Sequence, residues 1–124
     1  MIIHYIATGL GGALGCMARL LASKLLPATI FGVPSAILFI NILGCLIMGL
    51  LTEILTFHWH PSDNTRYFLV SGFLGGFTTF SAFSAEFGLL FEKNELLLAF
   101  SYVALSVCLS LFCFFIGMRI VRLF

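Results

Sequence analysis

GFLGGFTTFSAFSAE, residues 72–86, decides how this chain is read, because it lies inside a stretch that hydropathy alone assigns to one membrane-spanning helix. Gly75 and Gly76 each weaken a helix interior by roughly 1 kcal/mol relative to Ala, and two threonines, Thr78 and Thr79, follow. The pattern predicts a helix broken near its middle. In a bilayer, a carbonyl or N–H freed by such a break must find a partner other than lipid. The break is therefore either a packing compromise or a site.

The 124 residues around it are 61% hydrophobic and 9% charged, against about 25% charged in soluble domains. That composition is an integral membrane protein's. A helix needs about 20 apolar residues to cross the hydrocarbon core, so four spans with short connections occupy residues 1–124 as a single four-helix, all-α transmembrane domain. Met1 to Tyr5 lack a positive n-region and the apolar run that follows outlasts an h-region, so the first span is expected to be retained. Cys16, Cys45, Cys108 and Cys113 fall within expected spans, without the paired spacing of a metal or disulfide set, and read as small apolar packers. Nothing resembles a basic nucleic-acid patch or a catalytic constellation, so the chain reads as a non-enzyme.

The first span is expected from about Ile2 to Ala22. Gly11 and Gly15 have the small-xxx-small spacing that lets membrane helices approach closely. Arg19, a turn from its end, is read either as snorkelling to the interface or as functional. A loop at Lys24 to Val33 leads to a second span from about Pro34 to Phe57. Asn41 near its middle must be hydrogen-bonded at that depth, as an interhelical clamp or as a pore-lining donor. Thr52 and Glu53 are expected to be wet near its exit. His58 to Arg66 reads as a solvated loop with Trp59 at the interface, followed by a third span, Tyr67 to Phe91, and a fourth, Leu96 to Met118. On the fourth, Tyr102, Ser106 and Ser110 recur every fourth position and form one polar stripe.

Four spans put Arg66, Arg119 and Arg122 on one side and Arg19, Lys24 and Lys93 on the other. Three basic residues against three give the positive-inside rule no preference. A chain so balanced can insert both ways, and oppositely oriented copies can then pair.

Three stretches carry a family resemblance. GALGCMAR at Gly12 to Arg19 resembles the G-x-x-G-x-x-x-R signature of the Fluc (CrcB) fluoride channels, FINILG at Phe39 to Gly44 resembles their V-N-x-x-G motif, and residues 72–86 resemble their third-span signature G-x-x-G-G-x-[ST]-T-F-S-[ST]-F-S-x-E. The resemblance implies an antiparallel, dual-topology homodimer in the inner membrane, with two fluoride pathways along its interface and a central Na+ on the backbone carbonyls of Gly75 and Thr78 from both chains. It assigns Asn41, Phe80 and Phe83 to the pathway, with the hydroxyls of Thr79 and Ser81 beside the rings and the track of Tyr102, Ser106 and Ser110. Arg19 and Glu86 are expected as vestibule charges that pair within or between subunits. Phe80 and Phe83, three apart, share a helix face, and aromatic ring edges are positive. Simple packing is the competing reading in a chain with 15 phenylalanines. The family pattern is departed from in two places: Ala82 replaces a usual hydroxyl, and Ala36-Ile37 replace a usual Gly-Thr pair. The alternative is a small dual-topology multidrug or guanidinium exporter, which relies on a membrane-embedded glutamate in its first helix; here the ionisable side chain before Arg19 is His4.

Overall fold

The computed structural model describes all residues, 1–124. Four helical spans are long and apolar enough to cross a membrane: Ile2–Leu25, Ala36–Phe57, Asp63–Glu92 and Leu96–Arg122. The protein is a multi-pass membrane protein. The first, second and fourth are single helices, α1, α2 and α6. The third is composite: α3 (Asp63–Arg66), a π-helical segment (Tyr67–Leu74), α4 (Gly75–Phe77) and, beyond two extended residues, α5 (Phe80–Glu92).

The ends of the spans differ from the sequence expectation for local reasons. Helix α1 continues three residues past Ala22, carrying Lys24 in its last turn, where a cation suits the helix dipole. Helix α2 starts at Ala36 because Val33–Pro34 (β2) pairs antiparallel with Thr29–Ile30 (β1). Phe31 (φ 52°) and Gly32 (φ 83°) make the turn between them, and positive φ at both central residues matches strand twist in a two-residue hairpin. The supposed loop at His58 to Arg66 becomes helical from Asp63, because the Ser62 hydroxyl accepts the Thr65 N–H and caps the new helix. Helix α6 runs on past Met118 to Arg122.

That last turn overturns a second expectation. Glu53 is not wet: it is 3% exposed, and Arg122 donates to it from Nε at 2.5 Å, the one ion pair in the chain. The burial of that carboxylate is compensated by the guanidinium that reaches down to it from the helix end. Thr52 turns its hydroxyl back to the Met48 carbonyl.

The spans pack as two pairs, α2 with α6 and α1 with the first half of the third span, while α5 lies on α6. Glycines set both seams. A Cβ on Gly11 would strike the Phe68 carbonyl, and one on Gly15 the Phe73 carbonyl; from the other side, a Cβ on Gly72 or Gly76 would come within 2.6 and 2.5 Å of the carbonyls of Thr8 and Gly12. On the second seam Gly49 faces the Phe114 carbonyl and Gly117 the Leu46 carbonyl. Backbones in direct contact replace the hydrophobic driving force that lipid abolishes. Leu38, Phe83, Leu90, Ala99 and Tyr102 form the buried cluster where α5 meets α2 and α6.

Gly15→Ala should therefore destabilise the fold by about 1–3 kcal/mol through overpacking. Gly9→Ala, where an added Cβ meets nothing within 4 Å, should be neutral or slightly stabilising. Folded fraction after heating in detergent, read by size-exclusion elution, compares them.

Candidate functional site

The site is built on the interruption of the third span. Its place differs from the one the glycines suggest: Gly75 and Gly76 are helical, and the extended residues are Thr78 (φ −85°, ψ 155°) and Thr79 (φ −152°, ψ 123°). Gly76 is helical because its missing side chain seats the backbone against α1. The Thr78 N–H still bonds the Leu74 carbonyl at 3.0 Å. The ladder then stops, and the carbonyls of Gly75, Gly76, Phe77 and Thr78 accept no hydrogen bond within the chain.

Asn41 spans the gap. Its Nδ2 donates to the Thr79 carbonyl at 3.0 Å, and its Oδ1 accepts the Thr79 N–H at 2.8 Å. One side-chain amide thus satisfies both polar atoms of an extended residue in mid-membrane, the interhelical clamp of the two readings left open by the sequence. The Thr79 hydroxyl then accepts the Ala82 N–H at 3.2 Å and starts α5. Ser81 meets the Thr79 hydroxyl at 3.1 Å.

A groove of about 480 Å³ opens beside the interruption. Asn41, Gly75, Thr78, Thr79, Phe80, Phe83, Ser106 and Ser110 line it, together with Cys45, Val107 and Leu111. The structure therefore brings together most of the residues singled out in the sequence. Phe80 and Phe83 have ring centroids 5.2 Å apart, yet their surroundings differ: Phe83 is buried against Tyr102, centroids 5.3 Å apart, whereas Phe80 is 77% exposed. Ser106 is buried in the groove wall, and its hydroxyl has no hydrogen-bond partner.

Four of the expected residues stand outside the groove lining. Ser81 sits on the rim with Thr79. Tyr102 is fully buried and donates from its hydroxyl to Glu86 Oε2 at 2.5 Å. Glu86 thus has a tyrosine partner within the chain, where the sequence reading offered Arg19. Arg19 lies near Cys16, its Nη2 3.7 Å from the sulfur. Sequence reasoning also passed over Cys45, although it stands one turn beyond Asn41 on the same helix face, a spacing that could have exposed it. Val107 and Leu111 carry no such signal.

The family model described as "CrcB-like protein, Camphor Resistance (CrcB)" matches residues 6–118. The chain belongs to the CrcB-like family. Among its relatives, proteins named "Fluoride-specific ion channel FluC" are 38% identical in Francisella tularensis subsp. tularensis (strain SCHU S4 / Schu 4), covering 91% of this chain and 90% of that protein. Identity is 42% in Paracoccus denitrificans (strain Pd 1222), covering 95% and 94%. In Rhizobium etli (strain ATCC 51251 / DSM 11541 / JCM 21823 / NBRC 15573 / CFN 42) it is 38%, covering 98% of each. The likeness to CrcB-like channels spans all four helices.

Asn41→Leu, close in volume, leaves the N–H and carbonyl of Thr79 unpaired. The expected cost is about 2–6 kcal/mol, from about 1–3 kcal/mol for each of the two orphaned groups, and denaturant titration of the purified protein measures it. Asn41→Asp, which can keep both bonds only as the protonated acid, should fall between Leu and wild type at acid pH.

Proposed function

We propose that this protein is a passive fluoride channel of the inner membrane, working as an antiparallel homodimer with a fluoride pathway in each of its two grooves. The observation that carries the reading is the groove beside the interruption, lined by an amide, hydroxyls and aromatic rings in a chain whose relatives are named fluoride channels.

The chain's own groups suit a small, strongly hydrated anion. The hydroxyls of Thr79, Ser106 and Ser110 are donors that rotate toward a ligand, and Ser106 has no partner to give up. Asn41 uses one of its two N–H groups on Thr79, leaving the other for an anion. The ring edges of Phe80 and Phe83 supply positive potential without a full charge, so an anion is partly dehydrated without being trapped. Tyr102, bonded to Glu86, holds the far end of the stripe, and Ser81 lies at the rim. Arg19 and Glu86 act near the vestibules, with any pairing of the two made between subunits.

The second subunit answers two features of the single chain. Phe80 is almost fully exposed in mid-span, and Gly75 is exposed with no neighbour closer than 3.8 Å to a Cβ placed there. The carbonyls left free at Gly75 and Thr78 are the hard oxygen donors that Na+ takes, and two chains brought together at this point would offer four. The residues present fit such an ion. When bound it would satisfy helix-end carbonyls and leave a fixed positive charge between the grooves.

Reconstituted liposomes loaded with fluoride should lose it passively through the protein, followed with a fluoride electrode, while chloride is retained. Chloride loss as fast as fluoride loss would sink the assignment. Phe80→Ile should slow fluoride efflux tenfold or more, equivalent to about 1.4 kcal/mol of barrier, with the folded dimer retained; unchanged flux would remove Phe80 from the pathway. Single-cysteine crosslinking across the interface tests the opposed orientation.

A further inference from the structure

Two thiols in the α2–α6 seam remain outside the functional reading. Alternate spans cross the membrane in the same direction, so α2 and α6 run parallel. Their register is fixed by Glu53 with Arg122 and by the mutual contacts of Gly49 and Gly117. Cys45 and Cys113 stand four residues before those two glycines, at the same separation in sequence. That register sets them level with each other, one helical turn from the point where the two backbones touch. Cys45 also reaches the groove, where Asn41 and Ser110 are its neighbours. Both thiols are free.

We propose that Cys45 and Cys113 form a two-thiol site for a soft, thiophilic divalent cation that favours two-coordinate sulfur ligation, with the mercuric ion as its probe. On binding, each thiol releases one proton as its metal–sulfur bond forms. Two thiolates cancel the double positive charge, so the bound unit is neutral, and the membrane interior disfavours a net charge. Soft sulfur donors select against the hard alkali and alkaline-earth cations. Occupation stiffens the groove wall beside Ser110 and one turn from Asn41. That it slows anion passage rests on the groove being the fluoride pathway.

The test uses the full chain carrying Cys16→Ser and Cys108→Ser, so that Cys45 and Cys113 are its remaining thiols, in nitrate salts free of chloride. Titration with mercuric nitrate is followed by thiolate-to-mercury absorption and by metal retained after desalting. One ion per chain is expected, with about a hundredfold weaker binding when either Cys45→Ser or Cys113→Ser removes chelation. Circular dichroism and elution volume check that each variant is folded. Two ions per chain, equal affinity in the single-thiol variants, or mercury-linked chains on a denaturing gel would overturn the site. In liposomes the same titration should slow fluoride efflux through the two-thiol protein and leave the single-thiol variants at their own starting rate. Stoichiometric binding with unchanged efflux would overturn the effect on passage. Absence of fluoride efflux before mercury is added would instead count against the channel reading, and the binding stoichiometry would still decide the site.

Discussion

One side-chain amide holds the middle of this protein together. Within a bilayer, two extended residues between α4 and α5 would strand backbone polar groups in hydrocarbon. Asn41 accepts from one atom of Thr79 and donates to the other, which lets the third span change conformation without losing those two bonds. Everything around the groove follows from that clasp. It fixes where α5 starts, and so the direction in which Phe80 and Phe83 leave the helix. It also anchors α2 against the third span at the point where the groove opens. The Thr79 hydroxyl completes the restart by capping α5, so neighbouring threonines serve opposite ends of the interruption: Thr78 turns its hydroxyl back to the Leu74 carbonyl, and Thr79 turns forward.

The clasp works because the flanking helices are held at backbone distance. Gly11, Gly15, Gly72 and Gly76 bring α1 onto the first half of the third span, and Gly49 and Gly117 bring α2 onto α6. Gly44 does the same for Thr78, whose methyl group occupies the space a Cβ would need. In lipid, such contacts rest on dispersion and close fit, with no water to expel. They leave the interrupted segment between two rigid seams, with its free carbonyls and Phe80 on the remaining open side. That open side is the one on which the proposed dimer depends.

Polar side chains also pair across helices beyond the glycine contacts. Tyr102 with Glu86 ties α6 to α5, and Arg122 with Glu53 ties the ends of α6 and α2. Each carboxylate has a donor within reach, as a low-dielectric interior requires. The unpartnered, buried hydroxyl of Ser106 stands apart from this pattern, on a residue that lines the groove.

Composition, span number and the weak point of the third span are written in the sequence, because a bilayer admits little but helices of fixed minimum length and because Gly-Gly and paired threonines are poor helix interiors wherever they occur. The polar stripe at Tyr102, Ser106 and Ser110 was legible for the same reason: helical spacing is local. The family signatures brought in Asn41, Phe80 and Phe83 together. Partners were not legible. The sequence reads Glu53 as wet at a helix exit, whereas α6 is long enough to bring Arg122 to it, and it offers Arg19 to Glu86, whose partner within the chain is Tyr102. The exact place of the interruption was likewise decided by packing: Gly76 is needed against α1 and stays helical, so the chain departs from the helix at Thr78 and Thr79, where Asn41 can take up the lost bonds. Local preference says that a helix is weak; only the arrangement of its neighbours says which residue gives way and what receives the freed groups.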